Sequence, residues 1–462
     1  MTGRTDTLWL LAGPLLALAV YAGTSGAALD GEGRVVLALT AWMALWWITE
    51  AVPIAVTALL PMPVLALTGV QDFGTTSLSY GHKIIFLALS GFVLAAAVER
   101  WGIHRRVARV VLSVFGGSAG RLVAGFMIVS ALLSMWISNT ATCILMLPIA
   151  LSVLGRDSHP NLAPALLLGT AYACSMGGMT TLIGTTTNMF FAGYAEDSLG
   201  VPVAFLKWTA FSAPVALALG LVIWAVLTRV LFPVPGTLTA PPREAAEPWT
   251  AGAKGTVFVF ALTALGWVFA PLLARLPGLS ALSMYEVGMV ALVALFVIPA
   301  GRGERLMDWK TARSSVPWGV LFLIGGGLAL AKAFTAFGVS EFLATQFASL
   351  GGLPGWALIL LMVALMVFLT EVTSNVASLT ALTPVLASVA LAVGLPPILA
   401  VSAIALAASC AFMLPVATPP NAIAFGSDRV TMRQMVRAGV VLNLIAIPVV
   451  GLYAFLVGPL AF

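Results

Sequence analysis

Long apolar runs without a charged residue recur along the whole chain, and one of them covers residues 122–155. A soluble domain carries roughly 25% charged residues, whereas only 8% of this chain is charged and 61% is hydrophobic. The runs are too long for the strands of a transmembrane barrel, which alternate over about 10 residues. The sequence therefore predicts an all-α integral membrane protein, because a helix satisfies its own backbone hydrogen bonds in lipid.

About 11 segments have the apolarity of spanning helices, for which about 20 residues suffice. They are Leu8–Ala28, Val35–Thr49, Val52–Thr68, Lys83–Val98, Leu162–Gly184, Phe205–Phe232, Thr256–Leu273, Met284–Pro299, Trp318–Phe334, Ile398–Leu414 and Val436–Val457. The first resembles a signal peptide, but its length favours an uncleaved span. Two further regions, residues 122–154 and 353–393, are each about as long as two short helices.

A compact polar motif interrupts each of these two regions in its middle. The first reads MWISNTATC (Met135–Cys143) and the second reads TEVTSNVAS (Thr370–Ser378). Non-helical backbone inside a membrane is tolerated only where it is buried in protein or lines a cavity. One long helix or two full spans stay as alternatives, although a spanning pair needs about 40 residues. We expect each motif to be the tip of a re-entrant helical hairpin.

The two motifs belong to an internal repeat. At an offset of 236 residues, Ser138–Asn139 corresponds to Ser374–Asn375. Downstream, Gly184–Asn188 (GTTTN) corresponds to Ala417–Asn421 (ATPPN) at an offset of 233. Because Gly and Pro interrupt helices, these two stretches are expected to break the helix that follows each hairpin. Transporters commonly repeat with inverted topology around a central substrate site, so the two tips should meet near the bilayer midplane from opposite faces.

The distribution of basic residues predicts the orientation. With a cytoplasmic N-terminus and two re-entrant hairpins, only five of the 22 Lys and Arg residues face outward, namely Arg34, Lys83, Lys207, Arg275 and Lys332. This excess of inward basic residues supports the topology, with the C-terminus outside the plasma (inner) membrane. The net charge of +5 then needs no nucleic acid as a partner. The Pro- and Ala-rich segment Pro233–Lys254 is expected to be a cytoplasmic linker between the two halves.

Hydroxyls, amides and loose carbonyls at such tips are hard oxygen ligands, which suit Na+ and not soft metals. Between Phe342 and Ser427 the only charged residue is Glu371. An anionic substrate would therefore be balanced by helix N-termini and by co-bound cations. No nucleophile–base pair is visible, which argues against an intramembrane enzyme, and a purely structural subunit would have no use for two matched tips. Two roles stay open for Glu371: satisfying backbone amides, or coupling protons or cations.

The sequence resembles the divalent anion/sodium symporter family, the sodium-coupled dicarboxylate and citrate carriers. The matching stretches are Trp46–Pro61, Ser90–His104, Met135–Thr142, Tyr172–Asn188, Phe368–Asn375 and Pro415–Ser427. The resemblance implies a homodimer in which a transport domain moves against a static scaffold like an elevator. It divides the chain into scaffold parts at 1–116 and 233–352, the latter with the linker, and transport parts at 117–232 and 353–462.

The resemblance also implies site residues by position. The first Na+ site would use Ser134, Ser138, Asn139 and Gly184, and the second Thr370, Thr373, Asn375 and Ala417. Substrate carboxylates would touch Asn139, Thr140, Thr185, Asn375 and Thr418, with Pro419 nearby. Val376 stands where the family commonly has Thr, so one substrate contact is in doubt. That loss favours a tricarboxylate or an unusual dicarboxylate.

These inferences together predict a secondary transporter that is not an enzyme. It would import a di- or tricarboxylate such as succinate, malate, fumarate or citrate with Na+, by an elevator mechanism. Two alternatives stay open. One is a Na+-independent carboxylate exchanger of the same fold, and the other is a symporter of sulfate or another inorganic oxyanion.

Overall fold

A computed structural model describes residues 4–115, 118–154, 159–234, 236, 248–301, 303–348 and 352–462. The chain is mostly helical there, as its apolar composition requires in lipid. Residues 235 and 237–247 of the predicted linker lie outside the described residues.

The described residues of the first half form both long and short helices. They are α1 (Arg4–Gly23), α2 (Gly31–Thr49), α3 (Ile54–Thr57), α4 (Pro61–Leu67), α5 (Phe73–Ser77), a 3₁₀ turn (Leu78–Gly81), α6 (Lys83–Arg100), α7 (Ile103–Val114), α8 (Ala119–Ser134), α9 (Asn139–Leu154), α10 (Leu162–Thr180), α11 (Thr186–Leu199) and α12 (Phe205–Ala225), which continues as a π-helix (Val226–Leu231).

The second half contains a small antiparallel β-hairpin besides its helices. Its elements are α13 (Ala251–Leu273), α14 (Met284–Val297), β1 (Pro299–Gly301), β2 (Glu304–Arg305), α15 (Trp309–Ser315), α16 (Trp318–Ala336), α17 (Val339–Gln346), α18 (Gly355–Leu369), α19 (Asn375–Ala392), α20 (Pro397–Ala407), α21 (Pro419–Phe425) and α22 (Met432–Ala461).

Seven helical stretches among the described residues are long and apolar enough to cross a bilayer. They are Phe73–Arg100, Leu162–Thr180, Phe205–Leu231, Ala251–Leu273, Trp318–Ala336, Asn375–Ala392 and Met432–Ala461. Shorter apolar helices, among them α1, α8, α9, α14, α18 and α20, accompany them. The predicted all-α membrane class is confirmed, whereas the number of spans stays a prediction.

The internal repeat reappears as a repeated order of helices. α8 and α9 begin at Ala119 and Asn139, and α18 and α19 begin 236 residues later, at Gly355 and Asn375. Both predicted hairpin regions are thus helix pairs that pack against each other and are interrupted at the polar motif.

The structure corrects the predicted breaks after the hairpins. The first break covers residues 181–185 and the second covers residues 408–418, so both begin before the predicted stretches. Thr186–Asn188 and Pro419–Asn421 form the first turns of α11 and α21 instead. Pro is favourable there because the first N–H groups of a helix have no partner within the helix. The Pro residues mark where the helix restarts.

The predicted span Val52–Thr68 corresponds to the apolar helical stretch Ile54–Leu67, which is interrupted in its middle. It consists of α3 and α4, with turn residues between them. Pro61 and Pro63 cause the interruption because neither can donate a backbone hydrogen bond to the preceding turn.

The centre of the molecule is the crossing of the two broken helices. Every residue of α10 is buried, and α10 packs against α8, α9, α12 and α21. Correspondingly, α11 packs against α16, α19 and α20. Each hairpin therefore lies beside the broken helix of its own half and contacts that of the other half.

Candidate functional site

The tip of the first hairpin is held by its own polar side chains. Ser134, the last residue of α8, donates from Oγ to Oδ1 of Asn139, the first residue of α9, over 2.5 Å. Ser138 Oγ accepts from the backbone N–H of Ala141 at 3.2 Å and so caps α9. Because the Ser134 hydroxyl donates its only hydrogen to Asn139, the lone pairs of its oxygen stay available to a cation.

Gly178 joins this tip to the first break. A Cβ atom at Gly178 would lie 2.3 Å from Asn139 Oδ1, and one at Gly184 would lie 2.4 Å from the Gly178 carbonyl oxygen. A second link is Thr181, which donates from Oγ1 to the Met135 carbonyl over 2.5 Å. The predicted ligands Asn139 and Gly184 are therefore brought together on one glycine, which only a residue without a side chain permits.

Asn188 saturates the carbonyls that the first break releases. Its Nδ2 donates to the carbonyl oxygens of Gly178, Met179 and Thr181, at 3.1, 3.1 and 2.7 Å. By contrast, the carbonyl oxygen of Gly184 accepts no hydrogen bond within the described part of the chain. One predicted Na+ ligand is thus a backbone oxygen without a partner.

At the tip of the second hairpin, threonine hydroxyls donate to backbone carbonyls of α18. Thr370 donates to the carbonyls of Met366 and Val367, at 3.0 Å each. Thr373 Oγ1 lies 2.5 Å from Ser378 Oγ and 2.7 Å from the Leu369 carbonyl. The lone pairs of Thr370 therefore stay available, as at Ser134, whereas Thr373, which donates to the Leu369 carbonyl, uses one lone pair to accept from Ser378.

Asn375 differs from its repeat counterpart. Its amide oxygen is buried and has no hydrogen-bond partner among the described residues, whereas Asn139 Oδ1 accepts from Ser134. An oxygen ligand at this second tip is therefore unpaired as well.

Glu371 fastens the second tip to the second break. Its Oε1 accepts from the N–H groups of Phe412 (2.7 Å) and Met413 (2.9 Å), and its Oε2 from those of Met413 and Leu414, at 3.0 Å each. Asn443 of α22 donates from Nδ2 to Oε1 over 2.6 Å. All these partners are donors, which suits an ionised carboxylate. Of the two roles left open for Glu371, the contacts support amide satisfaction, and the amides belong to the break instead of the tip.

The second break is braced as the first one is. Asn421 donates from Nδ2 to the carbonyls of Ala411 and Leu414, at 3.1 Å each. Tyr172 of α10 donates to the Phe412 carbonyl at 2.7 Å. Within the described residues the carbonyl oxygen of Ala417 accepts no hydrogen bond, so it matches Gly184.

The two predicted kinds of ligand differ in burial. Of the Na+ candidates, Ser134, Gly184, Thr370, Thr373 and Ala417 are buried, Asn139 and Asn375, which are also substrate candidates, are half-buried, and Ser138 is exposed. The substrate candidates lie nearer the surface: Asn139, Thr140, Thr185, Asn375 and Val376 are half-buried, Pro419 is exposed, and only Thr418 is buried.

The two halves meet through their helices. α9 packs against α21, and Cys143 Sγ lies 3.6 Å from the Pro420 carbonyl oxygen. No hydrogen bond between the described residues joins Asn139 to Asn375 directly. A ligand that touches both tips would therefore bridge groups that the protein leaves unconnected.

Comparison with known proteins matches almost the whole chain to one family. The family described as the sodium:sulfate symporter transmembrane region matches residues 7–460. The chain belongs to this family. The predicted resemblance to the divalent anion/sodium symporters is thereby confirmed, and family membership makes the protein a membrane transporter rather than an enzyme.

Two relatives are close in sequence. The sodium-dependent dicarboxylate transporter SdcS of Staphylococcus saprophyticus is 37% identical over 472 residues, which cover 97% of this chain and 91% of that protein. SdcS of Staphylococcus aureus strain RF122 is 37% identical over 473 residues, covering 98% and 91%.

Two solved structures share the fold. The YdaH transporter of Alcanivorax borkumensis gives a TM-score of 0.63 at 15% identity, over 91% of this chain and 98% of that one. MtrF of Neisseria gonorrhoeae, described with a class of antimetabolite efflux pumps, gives 0.63 at 12% identity, over 99% and 95%. At these identities the likeness concerns the fold alone.

Sequence reasoning missed several polar residues that shape this transporter's site, above all Asn188, Asn421 and Asn443. Asn188 and Asn421 close the two motifs that repeat at an offset of 233 residues. The repeat was therefore a signal for them, although it did not reveal what the amides bind. For Asn443, in the middle of α22, the sequence offers only a lone polar residue in an apolar helix.

Proposed function

We propose that this protein is a secondary active transporter that imports di- or tricarboxylates together with Na+. One observation carries the proposal: each half buries a helix break with an unpaired backbone carbonyl, Gly184 in the first and Ala417 in the second, beside hydroxyl and amide oxygens of a hairpin tip. Neutral oxygen ligands of this kind suit a hard monovalent cation. The relatives' name, sodium-dependent dicarboxylate transporter, agrees with that chemistry.

The first Na+ would be held by Ser134, Ser138, Asn139 and Gly184, and the second by Thr370, Thr373, Asn375 and Ala417. The substrate carboxylates would contact Asn139, Thr140, Thr185, Asn375 and Thr418, with Pro419 and Val376 beside them. Most of the proposed substrate contacts are partly exposed, which supports their separation from the Na+ ligands. The substrate must enter from water, whereas the Na+ sites have to form before the substrate binds.

Helix N-termini would supply the positive potential for the anion. α9 begins at Asn139, α19 at Asn375 and α11 at Thr186, so three helices of at least 14 residues start among the proposed contacts. The N-terminus of a helix attracts anions through free N–H groups and the helix dipole. Bound Na+ would add to that potential, which gives a physical reason for coupling the two solutes.

Transport would follow an elevator mechanism. Residues 117–232 and 353–462, which contain both hairpins and both broken helices, would move as the transport domain against a scaffold of 1–116 and 233–352. We place the protein in the plasma (inner) membrane as a homodimer, with its N-terminus in the cytoplasm and its C-terminus outside. The resemblance to the family and the distribution of Lys and Arg support these assignments.

Uptake into proteoliposomes tests the function. The purified full chain is reconstituted, and labelled succinate, citrate and sulfate are supplied with an inward Na+ gradient, with choline instead, or with unlabelled carboxylate inside. We expect accumulation of a carboxylate that needs Na+ and needs no internal substrate.

Two other outcomes would contradict the proposal in different ways. Uptake that ignores Na+ but requires internal carboxylate would make the protein an exchanger. Na+-driven uptake of sulfate without carboxylate uptake would keep the coupling and change the substrate class.

A further inference from the structure

Two asparagines bind the two helix breaks in the same register. Asn188 Nδ2 donates to the carbonyls 10 and 7 residues before it, those of Gly178 and Thr181. Asn421 Nδ2 donates to the carbonyls 10 and 7 residues before it, those of Ala411 and Leu414. Both side chains are fully buried. In each half of the chain, an asparagine amide thus binds the carbonyls at the same two distances along the sequence.

The amide nitrogen, and not the amide oxygen, must face each break. The acceptors are carbonyl oxygens, so a reversed amide would set its oxygen against them and lose every hydrogen bond. In this orientation the Oδ1 atoms of Asn188 and Asn421 are buried without a partner among the described residues. A buried unpaired acceptor costs about 1–3 kcal/mol. Both halves thus turn the amide nitrogen towards the break and leave the amide oxygen unpaired among the described residues.

The braces divide the carbonyls of each break into two groups. Those of Thr181 and Leu414 are engaged by the asparagine and also accept the N–H of Gly184 and Ala417, at 3.3 and 3.2 Å. Those of Gly184 and Ala417 themselves stay without a partner in the described structure. The engaged oxygens are withdrawn from cation binding, whereas Gly184 and Ala417, each three residues after an engaged carbonyl, are among the break residues whose carbonyls stay unpaired.

We propose that Asn188 and Asn421 are repeat-related positioning residues that hold the carbonyls of Gly184 and Ala417 in place as Na+ ligands. This inference rests on the proposed Na+ coupling. Neither asparagine touches the cation through its nitrogen. Each acts by fixing the backbone between its acceptors and the free carbonyl, so losing one should impair one Na+ site and spare the other.

Asn188 and Asn421 are therefore replaced singly by Leu, Asp and Ser. Leu has a similar size and no donor, Asp has the same shape with a negative charge and no donor, and Ser keeps one donor. The matched control is Asn161→Leu, because Asn161 Nδ2 also donates to a backbone carbonyl, that of Pro233 at 3.0 Å, away from both breaks.

Na+ activation of succinate uptake and the Na+-induced shift of the unfolding midpoint are measured on each purified variant. We expect Leu and Asp at either position to raise the half-saturating Na+ concentration about tenfold, because two or more buried hydrogen bonds are lost. The Hill coefficient should fall towards one, Ser should lose less, and Asn161→Leu should resemble wild type. The Na+-induced shift of the unfolding midpoint reports Na+ binding also for variants whose uptake is too slow to measure.

The Asp variants decide between positioning and simple electrostatics. A negative charge near a cation site would strengthen Na+ binding if electrostatics alone governed it. Asp variants that bind Na+ as well as or better than wild type would overturn the inference, as would Leu variants that match Asn161→Leu. A wild-type protein with no Na+ response in either assay would instead overturn the proposed function itself.

Discussion

Replacing Glu371 by Gln should destabilise the protein far more than the same change elsewhere. Glu371 is 3% exposed and links the second hairpin tip to α22 and to the second break. Its two oxygens accept from three backbone N–H groups and one side-chain amide. Gln keeps the shape but offers one acceptor oxygen and turns the other into a donor.

The cost follows from which partners the Gln side chain can keep. With its oxygen at the Oε1 position, the new amide would still accept from Phe412, Met413 and Asn443 but would face the Leu414 N–H with its own NH₂ group. An unpaired buried donor costs about 1–3 kcal/mol, and the remaining bonds weaken because charge-assisted bonds are roughly twice as strong as neutral ones. The total is about 3–5 kcal/mol, a large share of a typical stability of about 5–15 kcal/mol.

Denaturant titration in detergent, followed by tryptophan fluorescence, measures this difference. Glu286→Gln is the matched control, because the hydrogen bonds that Glu286 accepts from described residues belong to its own capping box, at the exposed N-terminus of α14, where Gln serves as well as Glu. A Glu371→Gln protein within about 1 kcal/mol of Glu286→Gln would refute the reasoning. If the Glu371→Gln protein were fully stable and its uptake no longer depended on pH, Glu371 would be a proton carrier instead.

Two further substitutions and one labelling experiment test the structure around the site. Gly178→Ala should abolish Na+-driven uptake while the protein still inserts, because the new methyl group would lie 2.3 Å from Asn139 Oδ1; labelled succinate uptake and surface labelling measure the two effects. Val376→Thr should raise succinate uptake relative to citrate several-fold by restoring a hydroxyl, and an unchanged ratio would remove Val376 from the substrate site. All three cysteines are buried, so a maleimide should label the protein only after unfolding, and labelling in the native state would contradict their placement.

The sequence predicted the hairpin tips well because polar groups stand out in apolar surroundings. Ser138 and Asn139 could be paired with Ser374 and Asn375 from the offset alone, and α9 and α19 do begin at the two asparagines. The resemblance to the family implied Gly184 and Ala417 as Na+ ligands, and this assignment stays a prediction. Local composition and a fixed offset suffice for features that one segment carries by itself.

The sequence could not predict contacts between segments that are far apart. Glu371 binds amides 41 to 43 residues away, and Asn443 reaches it from 72 residues away. The ends of the breaks failed for another reason. Pro419 and Pro420 can either interrupt a helix or start one. Which of the two occurs depends on whether the carbonyls of the preceding residues have other hydrogen-bond donors, and those donors come from distant parts of the chain.

In each half, polar contacts connect the hairpin tip to the helix break, and we call these contacts the joint of that half. The two joints differ in chemistry, and this difference predicts which of them opens first. Glu371 occupies the repeat position of Met135, where the described part of the first half has a neutral hydrogen bond from the Thr181 hydroxyl to the Met135 carbonyl. A neutral hydrogen bond contributes about 1 kcal/mol, whereas bonds to a charged group contribute about 1.5–3 kcal/mol each. We therefore expect the first joint to open more readily, so amides in residues 181–185 should exchange hydrogen faster than those of 411–414 without Na+. Slower exchange at 181–185 would show that packing around Gly178, and not the polar contacts, controls how the hairpins open.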